Sequence, residues 1–130
     1  MSYRFLTKAG ILVLHRQQIL EHGGRFGVRD ESLLESTLAK AQVLLNYVPN
    51  SAVYDLAAAY GYGFIKNHVF VDGNKRVGLA AMAAFLYLNG YEMSSTEVEE
   101  VVIVLEVASS RCTQAELAKW LQHCIVRQQN

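Results

Sequence analysis

The sequence predicts an all-α fold of about six helices, and three observations carry that expectation. Apolar residues recur at helical spacing through most of the chain, while good alternating runs are scarce. Two Thr-x-x-Glu capping boxes, Thr96 with Glu99 and Thr113 with Glu116, mark helix starts in the last third of the chain. The stretch from Lys75 to Asn89 is apolar nearly all round, as a helix at the buried centre of a bundle is.

In order, Thr7 to His22 carries Ile11, Leu12, Leu14, Ile19 and Leu20 and forms a first helix, ended by Gly23 and Gly24. The loop Gly23–Arg29 is glycine-rich and basic. Asp30 or Ser32 can cap a second helix, and Ser32 with Glu35 fits a capping box; Leu34, Leu38, Ala41 and Leu45 mark its inner face. Asn46–Asn50 holds the only proline and reads as a loop. Ser51 to Lys66 forms a third helix, with Asn67 in the left-handed position that ends it. After an irregular segment, Asn74 caps the fourth helix, Lys75 to Asn89, which is expected to be innermost and which Gly90 stops. Tyr91–Met93 is a short extended piece. The capping boxes open a fifth helix, Glu97–Ala108, and a sixth, Gln114–Arg127.

A chain of 130 residues most often makes one domain, here spanning 1–130, and its 52% apolar content excludes disorder. Twelve basic residues balance twelve acidic ones, which argues against direct DNA binding and leaves room only for a localised basic site. No apolar run reaches the length of a membrane span, and Ile11–Leu14 is too short for a signal peptide. Cys112 and Cys124 make no disulfide framework and read as reduced thiols, so the expected compartment is the cytoplasm.

The chemistry concentrates in His68-Val69-Phe70-Val71-Asp72-Gly73-Asn74-Lys75-Arg76. A helix N-terminus presents unpaired N–H groups and partial positive charge; Gly73 permits a sharp turn there, and Lys75 and Arg76 add two cations. Together they describe a phosphate site. Asp72 beside it is a natural magnesium ligand, since magnesium takes one or two carboxylates plus phosphate oxygens. His68 can accept a proton from a hydroxyl at neutral pH. Val69 and Val71 alternate with Phe70, so Phe70 packs inward as the loop anchor while His68 points to the phosphates. A base, a metal ligand and an anion cradle are what phosphoryl or nucleotidyl transfer needs. Taken singly the residues have plainer readings: a structural histidine, an ordinary Asp-Gly-Asn turn, a solvated Lys-Arg pair.

The nine-residue conjunction resembles the motif of the death-on-curing (Doc) toxins, a branch of the Fic superfamily. The likeness extends to Gly23-Gly24, Gly27-Val28-Arg29-Asp30, Leu33-Leu34-Glu35-Ser36, Asp55-Leu56-Ala57-Ala58, Lys66-Asn67 and Phe85-Leu86-Tyr87-Leu88-Asn89-Gly90. It implies a Fic/Doc-type helical domain whose central buried helix follows the active-site loop. His68 would be the base, Asp72 the magnesium ligand, Gly73, Asn74, Lys75 and Arg76 the contacts to ATP phosphates, and Phe70 the anchor. Most Fic enzymes transfer AMP and carry glycine where this chain has Lys75 and arginine where it has Leu79. Both departures fit the Doc branch, which is thought to bind ATP reversed and transfer its terminal phosphate. The implied target is a threonine of translation elongation factor Tu, and the implied partner a cognate Phd-like antitoxin. Ser95 to Glu99 has the spacing of the self-inhibiting Fic helix, but Glu100 follows where Gly or Asn is wanted, so inhibition in trans is expected, with Gly23–Arg29 and Asn46–Asn50 as contact surfaces. The alternatives are a Fic-type AMP transferase and an inactive Fic-fold binding module.

Among the other residues, His15 and His123 read as structural or solvated, and His22 as a partner of helix-terminal carbonyls. Tyr47, Tyr54, Tyr60 and Tyr62 read as core, and Glu92 to Glu106 as a solvated acidic face. No His/Cys/carboxylate cluster has zinc spacing. Lys66 stands close enough to the motif to touch target or phosphate.

Overall fold

The computed structural model describes residues 2–129. Its elements are α1 (Lys8–His22), α2 (Glu31–Tyr47), α3 (Val53–Asn67), α4 (Asn74–Leu88), β1 (Tyr91–Met93), α5 (Glu97–Ala108), α6 (Gln114–Cys124) and β2 (Ile125–Arg127). The fold is all-α, six helices with one two-stranded ribbon. Among the described residues no helix is long and apolar enough to cross a membrane.

The caps explain most boundaries. Thr7 Oγ1 accepts from the Gly10 N–H at 3.0 Å and starts α1. Asp30, not Ser32, starts α2: its Oδ1 accepts from the Leu33 N–H at 3.0 Å, so the Ser32–Glu35 box does not form. The Thr96–Glu99 and Thr113–Glu116 boxes are both present, and their backbone bonds hold the Glu99 and Glu116 carboxyls below the usual carboxylate range. α2 runs on to Tyr47, leaving that ring 84% exposed rather than in the core. Tyr60 is fully buried, and Tyr54 and Tyr62 are half-buried against the core. His22 sits 3.7 Å from the Glu21 carboxylate and not on terminal carbonyls.

α6 is shorter than its apolar pattern suggested. The β-branched pair Ile125-Val126 leaves the helix and pairs antiparallel with β1, Tyr91 opposite Arg127 and Met93 opposite Ile125. Ser94 closes the helix end by donating its N–H and hydroxyl to the Cys124 carbonyl.

α3 and α4 make the centre, and α3 is the more completely buried of the two; α4 exposes Ala83, Tyr87 and Leu88 on its outer side. Their close approach rests on glycines. A Cβ on Gly78 would stand 2.5 Å from Ile65 Cγ1 and 3.1 Å from the Gly61 carbonyl oxygen. Tyr60, Phe64, Phe70 and Phe85 fill the core along this seam, each worth about 2–3 kcal/mol in apolar burial. The result is a rigid α3–loop–α4 unit that delivers residues 68–73 to one end of the bundle.

Candidate active site

α3 ends abruptly. The residue in the left-handed conformation is His68 (φ 49, ψ 51), not Asn67, at a steric cost on the order of 1 kcal/mol for a side chain with a Cβ. The chain then runs extended against the α1–α2 connection. The Arg29 N–H donates to the Val69 carbonyl at 2.8 Å, and the Val71 N–H to the Gly27 carbonyl at 3.1 Å. Both Val69 and Phe70 are buried, so the simple alternation fails at Val69, while Val71 is left 40% exposed.

Phe70, read from the sequence as a loop anchor, is buried at 1% exposure. Its ring lies between Phe64, at 6.2 Å, and His15, stacked at 3.8 Å and 7°. Its backbone is held by Asn74. The Phe70 N–H donates to Asn74 Oδ1, and Asn74 Nδ2 donates back to the Phe70 carbonyl, both at 2.9 Å. Asn74 therefore does not cap α4 with its side chain, and its amide is unavailable to a phosphate. Gly73 is the N-cap, at φ 78, and Asn74 opens the helix. What Asn74 offers a ligand is its backbone N–H, which with those of Lys75 and Arg76 faces no preceding carbonyl.

Asp72 is fixed from two sides. Its Oδ2 accepts from the Arg25 N–H at 2.9 Å, and its carbonyl lies 2.8 Å from His15 Nε2. Gly24 permits this: a Cβ there would meet Ile19 Cδ1 at 3.1 Å and Asp72 Cβ at 3.4 Å. His15 is the residue that the sequence undersold. It is 4% exposed and structural, as expected, but what it structures is the loop. Its position four residues from both Ile11 and Ile19, on the buried stripe of α1, was the available signal.

His68, Asp72, Gly73, Asn74 and Lys75 line one cleft of about 460 Å³, together with Lys66 and Ala108. The His68 side is solvent-exposed. Arg76 does not line this cleft. One residue on from Lys75 it is rotated about 100° around the helix, and it borders a neighbouring groove with Leu79, Glu100, Val101, Val104 and Leu105, which Lys75 also reaches. Lys66 Nζ donates to Ser110 Oγ. The ion pairs among the described residues involve Lys8 and His22, and none lies at the cleft. Lys66 and Lys75, neither held in an ion pair, thus outweigh the single Asp72 carboxylate at the positive end of the α4 dipole, which suits the cleft to an anion.

The donor set also fits a hard cation carried in with such an anion. Asp72 is the only carboxylate in the cleft wall, and no cluster of three metal-ligating side chains exists among the described residues. Magnesium held here would take one carboxylate oxygen from the protein and the rest from phosphates and water.

The family model for the Fic/DOC family matches residues 5–86. The chain is 34% identical over 99 residues to a protein named Toxin Doc from Mycolicibacterium smegmatis, covering 74% of this chain and 76% of that one. It is 26% identical over 101 residues to Protein kinase doc from Escherichia phage P1, covering 77% and 80% respectively.

Proposed function

This chain belongs to the Fic/DOC family, and on that premise we propose that it is the toxin of a toxin–antitoxin pair, an ATP-dependent phosphotransferase that modifies a threonine hydroxyl of translation elongation factor Tu. The observation that carries the reading is the placement of His68, exposed and on the same cleft as Asp72, Lys75 and the start of α4. The kinase character follows the name of the phage relative and the ammonium of Lys75, which fills space that glycine would leave open.

In this reading the N–H groups of Asn74 and Lys75 and the Lys75 ammonium hold the ATP phosphates, and Asp72 holds Mg²⁺. The bound magnesium supplies charge neutralisation on the phosphate oxygens. The His68 imidazole takes the proton of the threonine hydroxyl. The freed oxygen attacks the γ-phosphorus, the bond from the γ-phosphorus to the β–γ bridging oxygen breaks, and ADP leaves. Left-handed His68 and the buried Phe70 set the backbone from which the imidazole projects before substrate arrives.

A cognate Phd-like antitoxin would act in trans in the cytoplasm. The Glu99 carboxylate is committed to the Thr96 N–H at 2.8 Å, at the start of its own helix, which supports the absence of self-inhibition through Ser95–Glu99. The exposed stripe Val98, Val101, Val102 and Leu105 on α5, beside Arg76, gives a folding partner more apolar surface than the Gly23–Arg29 and Asn46–Asn50 loops.

The test uses purified elongation factor Tu with ATP labelled at the γ or the α position. Label from γ alone is the expected result. Label from α alone would replace the kinase with the AMP transferase, and growth arrest equal in wild-type and His68→Ala proteins would leave only a binding module.

A further inference from the structure

We infer that Arg29, which lies outside the motif and outside the cleft wall, is a positioning residue that holds His68 in its working conformation. The inference rests on the reading of His68 as the base.

The argument starts from how α3 ends. At the C-terminal ends of α1, α2, α4 and α5 the cap N–H returns to a carbonyl of its own helix. No such return bond is present at His68. The carbonyls of the last helical residue, Asn67, and of the cap, His68, are met instead by one side chain. Arg29 Nε donates to the His68 carbonyl at 2.6 Å and Nη2 to the Asn67 carbonyl at 3.4 Å. A guanidinium suits this task, because its planar fork reaches two successive acceptors and its charge complements the negative end of the helix dipole.

The His68 backbone needs such help. With φ 49 it sits in a region that residues bearing a Cβ rarely occupy. The loop beyond it is secured independently: Val69 by the Arg29 and Asp30 N–H groups, Phe70 by Asn74 and His15. His68 itself receives only the Arg29 side chain at its carbonyl. Release of that contact would let its ψ relax and swing the imidazole away from the cleft, with residues 69–74 unmoved. Arg29 itself is absent from the cleft wall, so its contribution to transfer runs through His68.

The test compares Arg29→Ala, Arg29→Lys, His68→Ala and the Arg29→Ala/His68→Ala double variant. The readouts are thermal unfolding, γ-phosphate transfer to elongation factor Tu, and backbone ¹⁵N order parameters. In Arg29→Ala the His68 order parameter should fall below about 0.6 while Val69 and Phe70 stay near about 0.85. kcat should drop about ten- to a hundred-fold with KM for ATP unchanged, since the loss is one of geometry at the base. Arg29→Lys, which can reach one carbonyl but not two, should recover part of both. In the His68→Ala background the Arg29 substitution should cost nothing further. An unchanged His68 order parameter in Arg29→Ala and Arg29→Lys, or an equal loss of transfer with and without His68, would overturn the inference. A fully active His68→Ala protein would instead remove the base assignment, and the catalytic half of this inference with it.

Discussion

Asn74 separates two readings of the motif, and its substitution by alanine measures which one holds. The structure makes it a latch, with both ends of its amide spent on the Phe70 backbone at 2.9 Å and the side chain 9% exposed. Asn74→Ala removes two hydrogen bonds worth about 1 kcal/mol each and strands the buried Phe70 N–H and carbonyl, which raises the cost of each. Alanine returns up to about 0.7 kcal/mol in helix propensity. The net expectation is a loss of about 2–4 kcal/mol, read by urea unfolding, and a melting temperature lower by about 10 °C. Asn74→Asp keeps the acceptor, loses the donor and sets a carboxylate against the Phe70 carbonyl, so it should also destabilise despite its favourable place at a helix start. If Asn74→Ala costs less than about 0.5 kcal/mol, the range of an ordinary surface change, while raising KM for ATP, the latch is refuted and the amide serves the ligand.

The remaining expectations concern the base, the helix seam and the acid limb. His68→Gly should abolish transfer, at least about 10²-fold, and yet raise stability by up to about 1 kcal/mol by relieving the left-handed strain; a destabilised His68→Gly protein would contradict that strain. Gly78→Ala should cost about 1–3 kcal/mol, because its Cβ meets the stem of Ile65 and a backbone oxygen, whereas Gly61→Ala meets the flexible Met82 side chain and should cost less; equal losses in denaturant melts would count against the seam described here. Glu99 and Glu116 have their carboxyls held below the ordinary value of 4.5 by backbone N–H bonds at their helix starts, so their stabilisation is present above that value and lost as pH falls through the lowered folded values. Glu99→Gln with Glu116→Gln should therefore flatten the decline of stability below pH 4.5, and an unaltered slope would show that the boxes carry no such linkage.

Much of this molecule could be read from one-dimensional patterns because its helices announce themselves locally. The Thr96–Glu99 and Thr113–Glu116 boxes set the starts of α5 and α6, and the Gly23-Gly24 pair set the end of α1. What failed was decided by residues far apart in the chain. β2 forms because β1 lies beside it, and Asn74 turns back toward Phe70 because the loop's buried backbone needs partners there. Adjacency in the sequence put Lys75 and Arg76 together but could not tell that only Lys75 reaches the cleft, while both border the groove beside it. The burial of His15 could be read from its stripe on α1, but its partner could not, nor could the role of Arg29: those contacts span 57 and 39 residues.

The bend that carries the nine-residue signature is thus braced by side chains and glycines that are no part of it: His15, Gly24, Arg29, and Gly78 beneath the seam. The mutational target for silencing such a gene is accordingly wider than its signature. A copy drifting without selection can lose its cleft through any of these supports while every letter from His68 to Arg76 survives, so an intact signature in a genome certifies ancestry and not competence.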